Sequence, residues 1–400
     1  MNRRETLKCL AALAGASTLV HVPGIQAIPQ APNATGDLRI TEVKYYRLEA
    51  ELSQRFGWSL GWTNTRNANI FEVRTNQGIV GWGEGGWRGD IADVNDWLRG
   101  KNPFQLEVIN AALTRMEGNG LASGIDNALW DVIGQALGEP IWALLGTKQR
   151  DSIKCYVTGL YRKDWPDFAT GLQEEAASYV QRGFKAMKMK IGYGSPLDEH
   201  IVSAVREAIG PYIKLGADAN TAYNAGTAVA VARRLEPYNL MFLEEPVIWN
   251  NFDAWKRLKQ SVAVPLASGE GGSYEDKARH LITNHAVDIV QPDISSVGGL
   301  TCARKTNTLA QAHNILVNPH CWGTEVRIAT TLHWIAVIPK ATRALAGPEP
   351  LLEYDQTENP TRGEILKQPL VAENGEIALP TKPGLGVTVN RKTLEKLSIG

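Results

Sequence analysis

The chain carries 400 residues, 44% of them hydrophobic, with 42 Lys and Arg matched by 42 Asp and Glu. That length suggests two domains, or one large domain with an appendage, and the apolar share supports a substantial core. The zero net charge points away from nucleic acid and anionic membranes as partners. Four cysteines without a CxxC pair point away from a disulfide framework or a structural zinc site.

Residues 1–27 read as an export signal. Arg3 and Arg4 are adjacent, Cys9 to Val22 is apolar and Ala-rich, and small residues lead to a cleavage site after Ala27. The arginine pair resembles a twin-arginine signal, so a periplasmic protein, free of the membrane after cleavage, is expected. No other segment reaches the run of about 18 apolar residues that a membrane span needs.

An α+β domain is expected over residues 37–150. Ile40 to Leu48 and Asn69 to Arg74 alternate partly, and Asn76-Gln77-Gly78 predicts a hairpin turn into Ile79 to Trp82. Between these strands, Arg55 to Trp62 is Gly-rich and aromatic without helical period, and reads as a loop. Ser123 is the expected N-cap of a helix. Ile125, Leu129, Val132, Ile133, Ala136 and Leu137 recur at helical spacing behind it, and Gly138-Glu139-Pro140 ends it.

From residue 151 to 349 short apolar runs alternate with helical patterns, which predicts parallel strands joined by helices. The runs are Ile153–Val157, Ala186–Ile191, Ile213–Ala217, Met241–Leu243, Pro265–Ala267, Ile289–Val290 and Ile315–Val317, with a weak eighth near Thr342–Leu345. The count fits a (β/α)8 barrel better than an open sheet, which should carry a Gly-rich phosphate turn that is absent here. After Pro348 the rhythm stops, and residues 350–400 are expected to pack back on the N-terminal sheet.

The barrel runs end in charged residues. Lys188 and Lys190 are followed by Asp218, Glu244, Glu270, Asp293 and His320, spaced roughly 23–28 residues apart, about one strand-plus-helix unit each. Active-site groups of such barrels sit at the C-terminal strand ends. Asp218, Glu244 and Glu270 would therefore present three carboxylates to one point, and oxygen donors of this kind suit Mg²⁺. A single acid at a strand end is ordinarily a solvated charge or a helix cap; three at matched ends, flanked by bases, argue for a metal site.

Alternation puts Lys188 and Lys190 on one side of their strand, with Met189 on the other. The proton next to a carboxylate is weakly acidic, and a cation on that carboxylate stabilises the charge left by its removal. Lys190 must be neutral to accept the proton, and Lys188 and the metal are expected to lower its pKa. Asp293 is expected to hold the His320 imidazole on the opposite flank.

With these residues the chain resembles the enolase superfamily, in its mandelate racemase-like subgroup; Lys or His bases with Mg²⁺ are the general pattern of such sites. The resemblance covers nearly everything from Leu38 to Gly400. It implies a modified (β/α)8 TIM barrel with an α+β capping domain. It makes Lys190 one base and His320–Asp293 the base or acid opposite. It makes Asp218, Glu244 and Glu270 the metal ligands, with Asn220 a secondary polar contact. It makes Glu353, rather than nearby Glu349, the acid that hydrogen-bonds the substrate carboxylate. It also implies two capping loops over the substrate, Arg55 to Arg66 and Gly83 to Asp90, bringing Arg55, Trp58, Trp62, Trp87 and Arg88. Tyr156 to Tyr161, after the first barrel strand, offers hydroxyls, with Tyr156 the expected substrate contact.

The texture from His320 onward is most similar to galactarolactone cycloisomerases and acid-sugar dehydratases. The expected partner is a small sugar acid or lactone, and the expected assembly a homo-oligomer. β-Elimination is the leading reading. Racemisation or epimerisation of a 2-hydroxy acid needs the same opposed groups, and a periplasmic sugar-acid binding protein is the alternative outside catalysis.

Overall fold

The computed structural model describes residues 37–339 and 348–399. The expected signal peptide and the weak run at Thr342–Leu345 lie outside the described residues. No described helix is long and apolar enough to cross a membrane.

The N-terminal domain is an antiparallel sheet of β1 (Ile40–Trp58), β2 (Gly61–Thr75) and β3 (Val80–Glu84), backed by the helix Asn119–Leu137. The predicted turn is present, with Gly78 at φ +78° and its N–H donating to the Thr75 carbonyl. The predicted loop at Arg55 to Trp62 is not a loop. It is the tip of one long β1–β2 ribbon, paired through Phe56–Thr63, Gly57–Trp62 and Trp58–Gly61, beyond a register shift at Glu51/Phe56. Backbone pairing carries this ribbon past the point where a period-2 pattern is visible. Its tip then lies against the barrel, where Gly57 and Arg162 exchange two backbone hydrogen bonds of 2.7 and 2.9 Å.

The helix behind the sheet starts at Asn119, a turn before the predicted cap. Ser123 sits inside it. Its hydroxyl donates to the Asn119 carbonyl and accepts from the N–H groups of Gly298 and Gly299, so it caps a helix of the next domain instead. The helix ends at Gly138, as predicted, and does so in the left-handed conformation. Helix and sheet approach closely enough to exclude side chains: a Cβ on Gly83 would stand 2.1 Å from the Gly124 carbonyl oxygen. Gly83→Ala is therefore expected to destabilise the fold by roughly 1–3 kcal/mol, the usual cost of overpacking, measured as a lower thermal midpoint.

The second domain holds eight parallel strands: β4 (Ser152–Thr158), β5 (Ala186–Lys190), β6 (Lys214–Asp218), β7 (Leu240–Glu244), β8 (Leu266–Ser268), β9 (Ile289–Val290), β10 (Leu316–Val317) and β11 (Leu352–Asp355). Seven coincide with the predicted runs. The eighth is β11, within the stretch assigned by sequence to the tail, and it pairs with β4. Its short run, Leu-Glu-Tyr-Asp, has charges at alternate positions and so gives no apolar signal. Between β10 and β11, side chains bridge the strands: Asn318 Oδ1 accepts from Leu351 N–H, and Glu353 from Cys321 N–H. The result is a (β/α)8 barrel with the capping domain over its C-terminal end.

The tail returns as expected. β12 (Glu376–Ala378) pairs with β4, and the helix Arg391–Leu397 packs on β1, with Arg391 bound to Glu72 at 2.7 Å. Cys155, Cys302 and Cys321 are buried free thiols.

His333 ties the barrel to this tail. Its Nδ1 accepts from Trp142 N–H and its Nε2 donates to the Leu385 carbonyl, so the partners select the neutral ring. Burial pushes its pKa from 6.5 down to about 4, against the Leu385 hydrogen bond. Its contribution to stability is complete above pH 6.5 and falls as pH drops toward 4, because only the unfolded chain takes the proton in that window. The loss amounts to about 3 kcal/mol at the acid limit. A His333→Gln variant should show a flatter decline of thermal midpoint between pH 6.5 and 4 than the parent.

Candidate active site

The barrel strands deliver their terminal side chains to one point. Lys190 and Asp218 end the paired strands β5 and β6, and Glu244 ends β7 beside Asp218. Glu270 follows β8 after Gly269, whose φ of +144° lets the chain turn against Gln291. One carboxylate oxygen each of Asp218, Glu244 and Glu270 lies within 4.8 Å of the others. These three could hold a metal ion.

The donor set fits a hard dication. Asp218, Glu244, Glu270 and Glu353 share only Lys188, Lys190 and the His320 imidazole as cationic partners at ion-pair distance among the described residues. Burial, and then the Asp218, Glu353 and Glu270 charges, push Glu244 up to about 8 despite the Lys188 ammonium at 2.9 Å. Four carboxylates against three cationic partners leave one acid in excess, whose ionised form burial disfavours and a divalent cation would stabilise.

Lys188 and Lys190 share one side of β5, as alternation predicts, and both reach Asp218. Both point inward, but Lys188 lies deeper, buried between Glu244 and Glu353 at 2.9 Å each. Burial opposes the charge of Lys190, yet Asp218 at 2.5 Å outweighs it and raises the pKa. Lys188 acts in the predicted, lowering direction and is overridden. Beside an ionised Asp218, Lys190 favours its ammonium form, and its basicity depends on what neutralises Asp218.

Across the triad, His320 Nδ1 meets Asp293 Oδ2 at 2.6 Å, as expected, and Nε2 lies 3.1 Å from Glu270. Burial disfavours the imidazolium, but Glu353, Glu270 and Asp293 raise His320 to about 10. Glu353, on β11, accepts from the Cys321 N–H and pairs with Lys188, so it belongs to this cluster. Glu349 instead pairs with Lys154 at a strand start.

A cavity of about 180 Å³ opens over these groups, lined by Trp58, Tyr161, Lys190, Asn220, Glu270, His320 and Trp322. Trp58 and Asn220 are thus where the resemblance put them. Asn220 sits at φ +45°, with Oδ1 buried and without a hydrogen-bond partner. The other proposed substrate contacts are elsewhere. Arg55 is exposed, bound to Asp164 at 2.7 Å and stacked on Trp62. Arg88 is exposed and outside the cavity lining. Trp87 is capping-domain core against Tyr45 and Phe71. Tyr156 is fully buried in the barrel interior against Phe242, with Lys188 over its ring.

Sequence reading missed several residues here. Trp322 and Tyr161 form aromatic walls; Trp322 lies two residues after His320, and Tyr161 closes the hydroxyl-bearing stretch from Tyr156, so each had a usable local signal. Gln291 donates to Glu244 at 2.8 Å and lies two residues before Asp293, on the same side of an extended chain. Lys277 binds both the Glu245 carboxylate and the Glu270 carbonyl, tying together the strand ends that carry Glu244 and Glu270.

Comparison with known proteins agrees with this arrangement. Residues 42–146 match the family described as mandelate racemase / muconate lactonizing enzyme, N-terminal domain, and residues 171–393 match the enolase C-terminal domain-like family. The chain is 37% identical over 370 residues to a D-galactarolactone cycloisomerase of Agrobacterium fabrum, covering 89% of this chain and 98% of that one. It is 31% identical over 343 residues to an arabinonate dehydratase of Saccharolobus solfataricus, covering 81% and 89%. The crystal structure of the 3,6-anhydro-D-galactonate cycloisomerase from Zobellia galactanivorans superposes with a TM-score of 0.80 at 34% identity, covering 90% of this chain and all of that one.

Proposed function

The chain belongs to the mandelate racemase / muconate lactonizing enzyme family of the enolase superfamily, and from that premise we propose that it is a Mg²⁺-dependent enzyme that eliminates the β-oxygen of a sugar acid or its lactone. The observation that carries this reading is the presence of Lys190 and His320 in one cavity, on opposite flanks of the acidic strand ends. A dication held by Asp218, Glu244 and Glu270 would lessen the pull of Asp218 on Lys190 and stabilise charge developing on the substrate carboxylate.

Lys190, once neutral, takes the α-proton. The C–H electron pair forms the Cα=Cβ bond, and the Cβ–O bond breaks. With a hydroxyl leaving group the imidazolium of His320 supplies the proton and water departs. With a lactone the ring carboxylate leaves without protonation, and the product is an isomer. Either enol becomes a 2-keto-3-deoxy acid.

The cavity also bears on the substrate. Among the described lining residues only Lys190 and His320 are cationic, and both belong to the reacting end. Trp58, Tyr161 and Trp322 supply the other walls. A monoanion with an uncharged remainder suits such a cavity better than an open dicarboxylate, so a lactone, an anhydro-aldonate or an aldonate is favoured. The names of the cycloisomerases and dehydratases similar to this chain support the same class.

Proton NMR in D2O with Mg²⁺, over a panel of aldonates, anhydro-aldonates, aldarates and lactones, tests the reading. A 2-keto-3-deoxy product supports it. Deuterium entering at the α-carbon without elimination replaces it with racemisation, and binding without exchange or turnover replaces it with a carrier. We keep export as a proposal resting on Arg3-Arg4 and the apolar stretch behind them; a mature chain from the native cell still beginning at Met1 would overturn it.

A further inference from the structure

The His320–Asp293 pair does not stand alone. Asp293 Oδ1 accepts from the Ser295 N–H at 2.7 Å, and Oδ2, which holds His320, also accepts from Arg327 NH1 at 3.1 Å. Arg327 lies on the helix Glu325–Val337 and is nearly buried, its side chain 12% exposed. Its NH2 stands 2.5 Å from Glu84 Oε1, and its NH1 also donates to the Trp322 carbonyl.

Glu84 is the last residue of β3 and therefore belongs to the capping domain. Its other oxygen accepts from both the N–H and the hydroxyl of Thr324, the N-cap of the helix that carries Arg327. Glu84 thus grips the start of that helix and its arginine together. The contact is tight: a Cβ on Gly323 would stand 2.3 Å from Glu84 Oε1 and 2.4 Å from Arg327 Nε. Hence the series Glu84, Arg327, Asp293, His320 runs from the capping sheet to the cavity, joined side chain to side chain.

We propose that Glu84 and Arg327 are positioning residues that fix Asp293, and through it the His320 ring, so that the His face of the site is complete only when the capping domain is seated on the barrel. Neither residue lines the cavity, so neither is catalytic. A guanidinium suits the task because its planar fork reaches Asp293 and Glu84 at once. The inference rests on the reading of His320 as a proton-transfer group. A static imidazole held from two domains transfers a proton along one direction; a loosened one spends most of its time misaligned.

The test uses the full chain with Mg²⁺ and the variants Arg327→Met, Arg327→Lys and Glu84→Gln. Arg327→Met is expected to lower kcat by up to roughly 100-fold, the cost of misplacing a reacting group by about 1 Å, with KM and Mg²⁺ affinity unchanged. Arg327→Lys should recover part of the loss. Substrate α-proton exchange through Lys190 should persist in all three. The Nδ1–H resonance of His320, observed by ¹⁵N-edited NMR without substrate, should be sharp and downfield in the parent and lost in Arg327→Met. If Arg327→Met fails to fold, Glu84→Gln carries the same test, since it keeps the Thr324 hydrogen bonds.

An unchanged His320 resonance with unchanged kcat overturns the proposal. So does a parallel loss of kcat, Mg²⁺ affinity and Lys190 exchange, which would mark a merely structural role. If the parent turns over no sugar acid, the functional reading fails while the resonance still decides the positioning.

Discussion

Glu244→Gln is expected to abolish Mg²⁺ binding and turnover together while leaving the metal-free fold at least as stable as the parent. Glu244 is the middle acid of the triad, at the end of β7 between Asp218 on β6 and the turn after β8. An amide keeps the shape and removes the charge. Charge stabilisation by the metal is worth several kcal/mol, so the loss should be on the order of a thousandfold or more. Stability should move the other way. Burial and the neighbouring acids raise Glu244 to about 8 from 4.5, so its ionised form costs the fold free energy near neutral pH. A neutral amide relieves that cost, and Lys188 keeps Glu353 as its partner at 2.9 Å. Thermal unfolding with and without Mg²⁺ checks both halves: the parent should gain stability with the ion by mass action, and the variant should not. A variant that still gained it would remove Glu244 from the metal site.

His320→Asn separates the two flanks. Mg²⁺-linked stabilisation should persist, because His320 touches the triad only through Glu270 and would be no ligand. Turnover of a substrate with a hydroxyl leaving group should fall by roughly 10²–10⁴, the usual contribution of a positioned acid or base. A lactone substrate should suffer less, since its carboxylate leaves unprotonated. The α-proton should still exchange with D2O through Lys190. Unchanged turnover on both substrate types would refute the two-group assignment.

The strand-end ladder was readable because barrel geometry repeats. Each buried strand is a short apolar run, and the residue that ends it is brought to the same rim as its neighbours by the register of the parallel sheet. Lys190, Asp218, Glu244, Glu270, Asp293 and His320 therefore came out of spacing and chemistry, and the family resemblance added Glu353 and Asn220. β11 escaped because a strand with charges at alternate positions has no apolar run to find. The β1–β2 ribbon escaped because its pairing is backbone to backbone and shows no side-chain period near its tip.

By itself, then, the sequence determined seven of the eight barrel strands and the acids that end them, because these depend on short apolar runs repeated at fixed intervals, while the capping role of the N-terminal domain came with the family resemblance. Only the tertiary structure decided which side chains face the cavity. It turned Arg55 to Asp164 and sank Tyr156 into the barrel. It brought Tyr161 and Trp322 to the cavity and set Arg327 between Asp293 and a capping-domain glutamate. It also set Asp218 2.5 Å from Lys190, a contact that raises the lysine's pKa where the neighbouring lysine in the chain lowers it. Such contacts join residues far apart in sequence, and their energies depend on distance and burial, which no linear spacing records.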